Sequence, residues 1–322
     1  MRATLEKHQV WLYLLAIAAG MAIGWARPEV TALLEYLLWP VLGLLLYATF
    51  TQVPLTHLAT AFRDMRFNVA LVLGNFVIMP LVVWLLLLLA PADPAIRLGI
   101  ALVLLVPCTD WFISFTHLGG GDSARAIAAS PILLILQIVM LPLYLWLLFG
   151  EDVVITSLGG HFLPVFFGLI LAPLVLAWLT EKAVERRPAL TGQIRALGWL
   201  PVPILALVVF MIAASQISLV LETGSMLPML LVIFSLYLVA AVLVARLLSS
   251  VFRLPGQRGK TLAFSFGTRN SFVVLPLAIA LPDLWASAVV VIVFQSLVEL
   301  FGMTAYLKWL PGLIVGTDRH IH

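Results

Sequence analysis

A cysteine, a threonine and an aspartate follow a proline in "VPCTDWFISF", residues 106–115, within a stretch otherwise apolar enough to cross a bilayer. Cys108 is the only cysteine of the chain, so it forms no intramolecular disulfide. It stands as a small apolar filler or as a soft sulfur ligand. Pro107 has no N–H for the carbonyl four residues earlier and pushes Val106 out of helical geometry. A half-helix starting at Cys108 carries partial positive charge at its first turn, which favours a thiolate able to hold a thiophilic solute. Asp110 adds a charge that costs several kcal/mol in mid-membrane unless it is paired or hydrated.

A second polar break, "SFGTRNSF" at residues 265–272, brings Thr268, Arg269, Asn270 and Ser271 together, with Gly267 loosening the helix and Pro276 disturbing the next turn. Asp110 and Arg269 are expected to meet where the two breaks cross. That pair either pins the crossing or opens while Asp110 takes up a proton. Glu299 has Gln295 one turn before it on the same face, so both should look into the protein. Ser114 and His117 continue a polar stripe from Asp110, with His117 at a solvated helix end. Asn75 and Gln137 either line a path or bond neighbouring helices. The sequence holds no phosphate-binding glycine loop, paired metal-ligand motif or nucleophile elbow. Cys108 and His117 are about 13 Å apart along a continuous helix, too far for a thiol–imidazole dyad. The reading is therefore not an enzyme, and no cofactor is expected.

The elements that must position these residues are membrane helices. Of 322 residues, 63% are hydrophobic and 10% charged, with a mean hydropathy of +1.14, which points to an all-α polytopic membrane protein. Ten apolar runs are each long enough for a core of roughly 30 Å: 9–26, 31–50, 68–90, 97–118, 127–149, 161–180, 197–215, 226–248, 259–281 and 285–310. With both termini cytoplasmic, only Arg27 and Arg97 among the lysines and arginines outside the ninth span fall on the outer side. The net charge of +3 thus reflects topology in a cell inner (plasma) membrane and not a nucleic-acid partner. The first span reads as an anchor that is kept, because no small-residue cleavage site follows it.

Ten spans divide into two five-helix repeats, residues 1–152 and 153–322. The fifth span, "ILLILQIVMLPLYL", superposes on the tenth, "VVIVFQSLVELFGM", with Gln137 on Gln295. The same register lays Cys108 to Phe112 on Phe266 to Asn270, so the two polar breaks coincide. An odd number of spans per half means inverted halves, the arrangement associated with alternating access.

The ten-span plan, "GNFVIMPL" in the third span, a fourth-span cysteine followed by "LGGGD", and "LVEL" in the tenth resemble the arsenical-resistance transporters that export arsenite, within the bile acid/sodium symporter superfamily. The resemblance implies a panel domain of spans 1, 2, 6 and 7 and a core domain of spans 3 to 5 and 8 to 10. It also implies that broken helices 4 and 9 cross at the substrate and ion sites, and that Cys108 is required for trivalent arsenic transport. The ninth span departs from the family: "RNSFV" puts Val273 at the usual acidic position. Arg269 puts a fixed positive charge where sodium-coupled relatives bind cations.

The expected function is efflux of arsenite, with antimonite as a further substrate, by proton antiport through Asp110 or Glu299. The competing expectation is an organic-anion carrier in which Arg269 binds a carboxylate or sulfonate. Cys108, Thr109, Asn75, Asn270 and Ser271 are assigned to substrate, with Cys108 as the metalloid ligand. Asp110, Arg269 and Glu299 are assigned to proton coupling or the ion pair, and Ser114, Gln137, Gln295 and Thr268 to their support. The partners are a small solute, protons and the lipid bilayer.

Overall fold

The computed structural model describes residues 2–53, 64–109, 111–152, 166–187, 192, 198–215 and 223–314. Asp110 lies outside the described residues, and the proposed division between 152 and 153 falls at the edge of a segment that also lies outside them. Among the described residues the regular structure is helical. Six helices are long and apolar enough to cross a membrane: Pro28–Phe50, Met65–Leu87, Ser123–Gly150, Phe167–Arg186, Gly224–Val251 and Asp283–Leu313. Trp11–Ala26, Pro94–Leu105 and Pro201–Ser215 are shorter apolar helices. The runs expected at 97–118 and 259–281 are not single helices. Each is split in two, so neither half has the length to span by itself.

The helices with a bearing on the site are α1 (Arg2–Ala26), α2 (Thr31–Phe50), α3 (Met65–Leu73) and α4 (Met79–Leu87), followed by α5 (Pro94–Leu105), α6 (Trp111–Leu118) and α7 (Ser123–Asp152). After them come α8 (Ala172–Arg186), α9 (Pro201–Ser215), α10 (Leu227–Val251), α11 (Gly256–Gly267), α12 (Ser271–Ile279) and α13 (Ser287–Leu313). A single π-turn, Gly74–Ile78, joins α3 to α4 without breaking the span. It leaves the Phe76 carbonyl to accept from the Tyr144 hydroxyl at 2.6 Å.

The helices pack in two groups. Helix α1 lies against α9, α9 against α2, and α2 against α8, while α5 packs on α13, α10 on α11 and on α13, and α12 on α13. The groups touch where α12 meets α2 and α1 meets α13. Large apolar side chains such as Trp11, Trp25, Trp84, Leu243 and Leu247 are exposed, an arrangement a lipid phase favours and water does not. At one end of the second group Asp64 Oδ2 pairs with Arg258 at 2.6 Å and Arg125 at 3.0 Å, while Asp122 pairs with the same two arginines at 3.9 and 3.4 Å. These residues stand at the starts of α3, α7 and α11, so the cluster ties together three helix ends that sequence reading left unconnected.

Close approach of α5 to α13 depends on Gly99, where a Cβ would lie 2.9 Å from the Cα and 3.0 Å from the carbonyl oxygen of Ala288. Backbone cannot yield as a side-chain tip can. Gly43, by contrast, faces only Leu169 Cδ2 at an ordinary 3.6 Å. Gly99→Ala is expected to cost about 1–3 kcal/mol through overpacking. Gly43→Ala should hold or raise stability, because alanine is favoured in a helix by up to ~1 kcal/mol. Thermal unfolding of the two variants in detergent checks the contrast.

Candidate functional site

The site begins with two helix ends. Helix α5 stops at Leu105 because Val106, held before a proline, takes extended geometry at φ −107 and ψ 108. Helix α11 stops at Gly267, and Thr268 is extended at φ −95 and ψ 138. The two unwound segments run antiparallel, with Pro107 opposite Arg269. The Cys108 N–H donates to the Thr268 carbonyl at 3.2 Å, and the Asn270 N–H donates to the Val106 carbonyl at 2.8 Å. Backbone freed by the breaks is thus satisfied by the other break, as an apolar medium requires. Helix α12 then starts with Asn270 as its cap, whose Oδ1 accepts from the Val273 N–H at 3.3 Å.

Arg269 is buried at 2% exposure. Its Nη1 donates to the Leu104 carbonyl at 3.4 Å, and its Nη2 faces Asn75 Oδ1 at 3.1 Å, the Ser265 carbonyl at 3.3 Å and the Phe266 carbonyl at 2.6 Å. The Tyr237 ring lies 5.3 Å from the guanidinium carbon, and its hydroxyl donates to the same Phe266 carbonyl at 3.0 Å. The carboxylate of Glu299 serves the backbone instead: Oε2 accepts from the Arg269 N–H at 2.9 Å and from Gln295 Nε2 at 2.8 Å. Arg269 therefore makes four hydrogen bonds to neutral oxygens. The expected Asp110 partner lies outside the described residues.

Other expected residues fall into two sets. Asn75 is completely engaged: besides Arg269, its Nδ2 donates to Ser265 Oγ at 2.9 Å and the Leu71 carbonyl at 3.2 Å. Thr268 turns its hydroxyl onto the Phe264 carbonyl at 2.7 Å. The Ser271 hydroxyl lies 3.4 Å from Gln295 Oε1 and 2.8 Å from Ser296 Oγ. Ser114 is half-buried on α6, and His117 is exposed, its Nδ1 3.4 Å from Ser123 Oγ. Cys108 is buried at 1% exposure. Thr109 Oγ1, Asn270 Nδ2 and both amide atoms of Gln137 are buried with no hydrogen-bond partner. Each such group costs about 1–3 kcal/mol, and Thr49 Oγ1, Thr116 Oγ1 and Arg269 Nε stand the same way.

The two hydrogen bonds between the breaks are interchanged by exchanging Val106 with Thr268, Pro107 with Arg269 and Cys108 with Asn270. The helices that lead into the breaks, Pro94–Leu105 and Gly256–Gly267, are equal in length. The Arg269 N–H is accepted by Glu299, whereas the nitrogen of Pro107 bears no hydrogen.

Tyr237 and the aromatic contacts of Tyr13, Trp111 and Phe272 escaped the sequence reading. Tyr237 and Ser265 hold the surroundings of Arg269. Tyr13 stacks on Trp111 at 6.3 Å and Trp111 meets Phe272 edge-on at 5.3 Å, joining α1 to the starts of both second half-helices. A tyrosine hydroxyl in mid-span was the available signal for Tyr237.

Helices discontinuous in mid-bilayer, with their freed backbone meeting at a buried charge, define a class of membrane transporters. Comparison with known families places the chain within it: the sequence model of the sodium bile acid symporter family matches residues 39–245. The chain belongs to that family of ion-coupled transporters, whose members are not enzymes. The match ends before Arg269 and Glu299. No curated protein matches the chain.

Loss of the Asn75 acceptor leaves the guanidinium short of a partner. Asn75→Leu is expected to destabilise the protein by about 1–3 kcal/mol, against a smaller loss for Thr180→Val, which removes a part-buried hydrogen bond with the Tyr47 hydroxyl on α2. Detergent thermal denaturation of both variants is the check.

Proposed function

We propose that the chain exports arsenite, and antimonite with it, by proton antiport. The observation that carries this reading is the sole cysteine, buried in the unwound segment beside hydrogen-bonding groups of Thr109 and Asn270 that have no partner. Arsenous acid is a compact, neutral, three-hydroxyl solute with a thiophilic centre. Thr109 Oγ1 and Asn270 Nδ2 suit its hydroxyls, Cys108 Sγ suits the arsenic, and Ser271 stands one residue from Asn270. When the thiol joins arsenic, the S–H proton and one arsenic hydroxyl leave as water, and the reverse step releases the solute.

Proton coupling falls to Glu299 or Asp110. The Glu299 carboxylate accepts the N–H at the break, so taking up a proton weakens a brace on the unwound backbone. Alternating access then follows from the two packing groups: α1, α2, α8 and α9 as a panel, and the helices that carry the crossing as a core, built from inverted repeats of residues 1–152 and 153–322. Their mutual contacts are few beside those within each group, which suits rocking. The plasma membrane with both termini cytoplasmic is the setting for efflux. An organic-anion carrier using Arg269 has less support, because the guanidinium is buried and already bonded to four oxygens.

In cells stripped of their own arsenite exporters, the parent chain should lower intracellular arsenite severalfold. Cys108→Ala at equal expression should accumulate as much as the empty vector. Equal protection by parent and variant would remove the thiol from the mechanism.

A further inference from the structure

We infer that Arg269 is a tethered cation: its guanidinium fills an oxygen cage that, without it, would take a monovalent metal cation of sodium's size. The cage lies where two half-helices end. Leu104 stands in the last turn of α5, and Ser265 and Phe266 in the last turn of α11, so their carbonyls are acceptors that the helices themselves leave unmatched. Each helix C-terminus carries roughly half a negative charge, and the two together amount to about one. Asn75 Oδ1, projecting from the π-turn of a third segment, completes four oxygens around Nη1 and Nη2 at 2.6–3.4 Å. Unwound carbonyls and half-helix C-termini are the donors with which discontinuous helices coordinate sodium. Here a side chain of the same segment supplies the charge.

The arrangement differs from a salt bridge. All four oxygens are neutral and come from three separate segments. The nearby carboxylate of Glu299 is directed to the backbone N–H of Arg269. The cage is filled here by a charge tethered to the backbone, which repels any alkali cation approaching within a few ångströms. This inference concerns cations alone and stands whether or not arsenite is the substrate.

The test is the thermal unfolding midpoint of the purified full chain in sodium, potassium or choline chloride at one ionic strength. The parent and Arg269→Lys should show no sodium-specific shift, changing by less than about 1 °C between salts. Arg269→Ala should unfold lower in choline and regain roughly 5 °C in sodium, saturably. Adding Asn75→Leu to Arg269→Ala should abolish that recovery. A sodium-specific rise in the parent would overturn the inference. So would a folded Arg269→Ala protein that is blind to the salts, or one that sodium cannot rescue while Arg269→Lys folds normally.

Discussion

Two helix ends buried in hydrocarbon face one another, and their unmatched carbonyls must find donors there or not form at all. Arg269 answers for three of them at once, through Leu104, Ser265 and Phe266. Two more freed N–H groups are met between the breaks, Cys108 by the Thr268 carbonyl and Asn270 by the Val106 carbonyl. A buried charge that would be costly by itself thus becomes the partner that makes two broken helices tolerable. Tyr237 and Asn75 hold its flanks, and the Glu299 carboxylate receives the N–H of the same residue.

The scaffold around this junction serves to hold it in register. The Asp64, Asp122, Arg125 and Arg258 cluster ties together the starts of α3, α7 and α11. Gly99 lets α5 reach α13, the helix that carries Gln295 and Glu299. The stack of Tyr13, Trp111 and Phe272 crosses from one packing group to the other, so any sliding between the groups must part it. Unsatisfied polar groups remain beside Cys108, at Thr109 and Asn270.

Much of this was legible in the sequence because its causes are local. Proline forces Val106 out of the helix, and "GTRNS" could be read as a second break from glycine and polarity alone. Charges in apolar runs marked Arg269 and Glu299 as interior. The partners of Arg269 were not legible, since three of them are backbone carbonyls and carry no residue identity. Asn75 was legible as a residue that lines a path or bonds neighbouring helices, and its amide does the second, holding Ser265 and Arg269.

With Arg269 as the proposed tethered cation, proton-driven export would need no alkali cation. The direct measurement is arsenite uptake into everted vesicles or proteoliposomes under imposed gradients. Flux should follow a pH gradient in sodium-free medium and stay unchanged when sodium replaces choline. Flux that followed a sodium gradient and ignored pH would contradict the account.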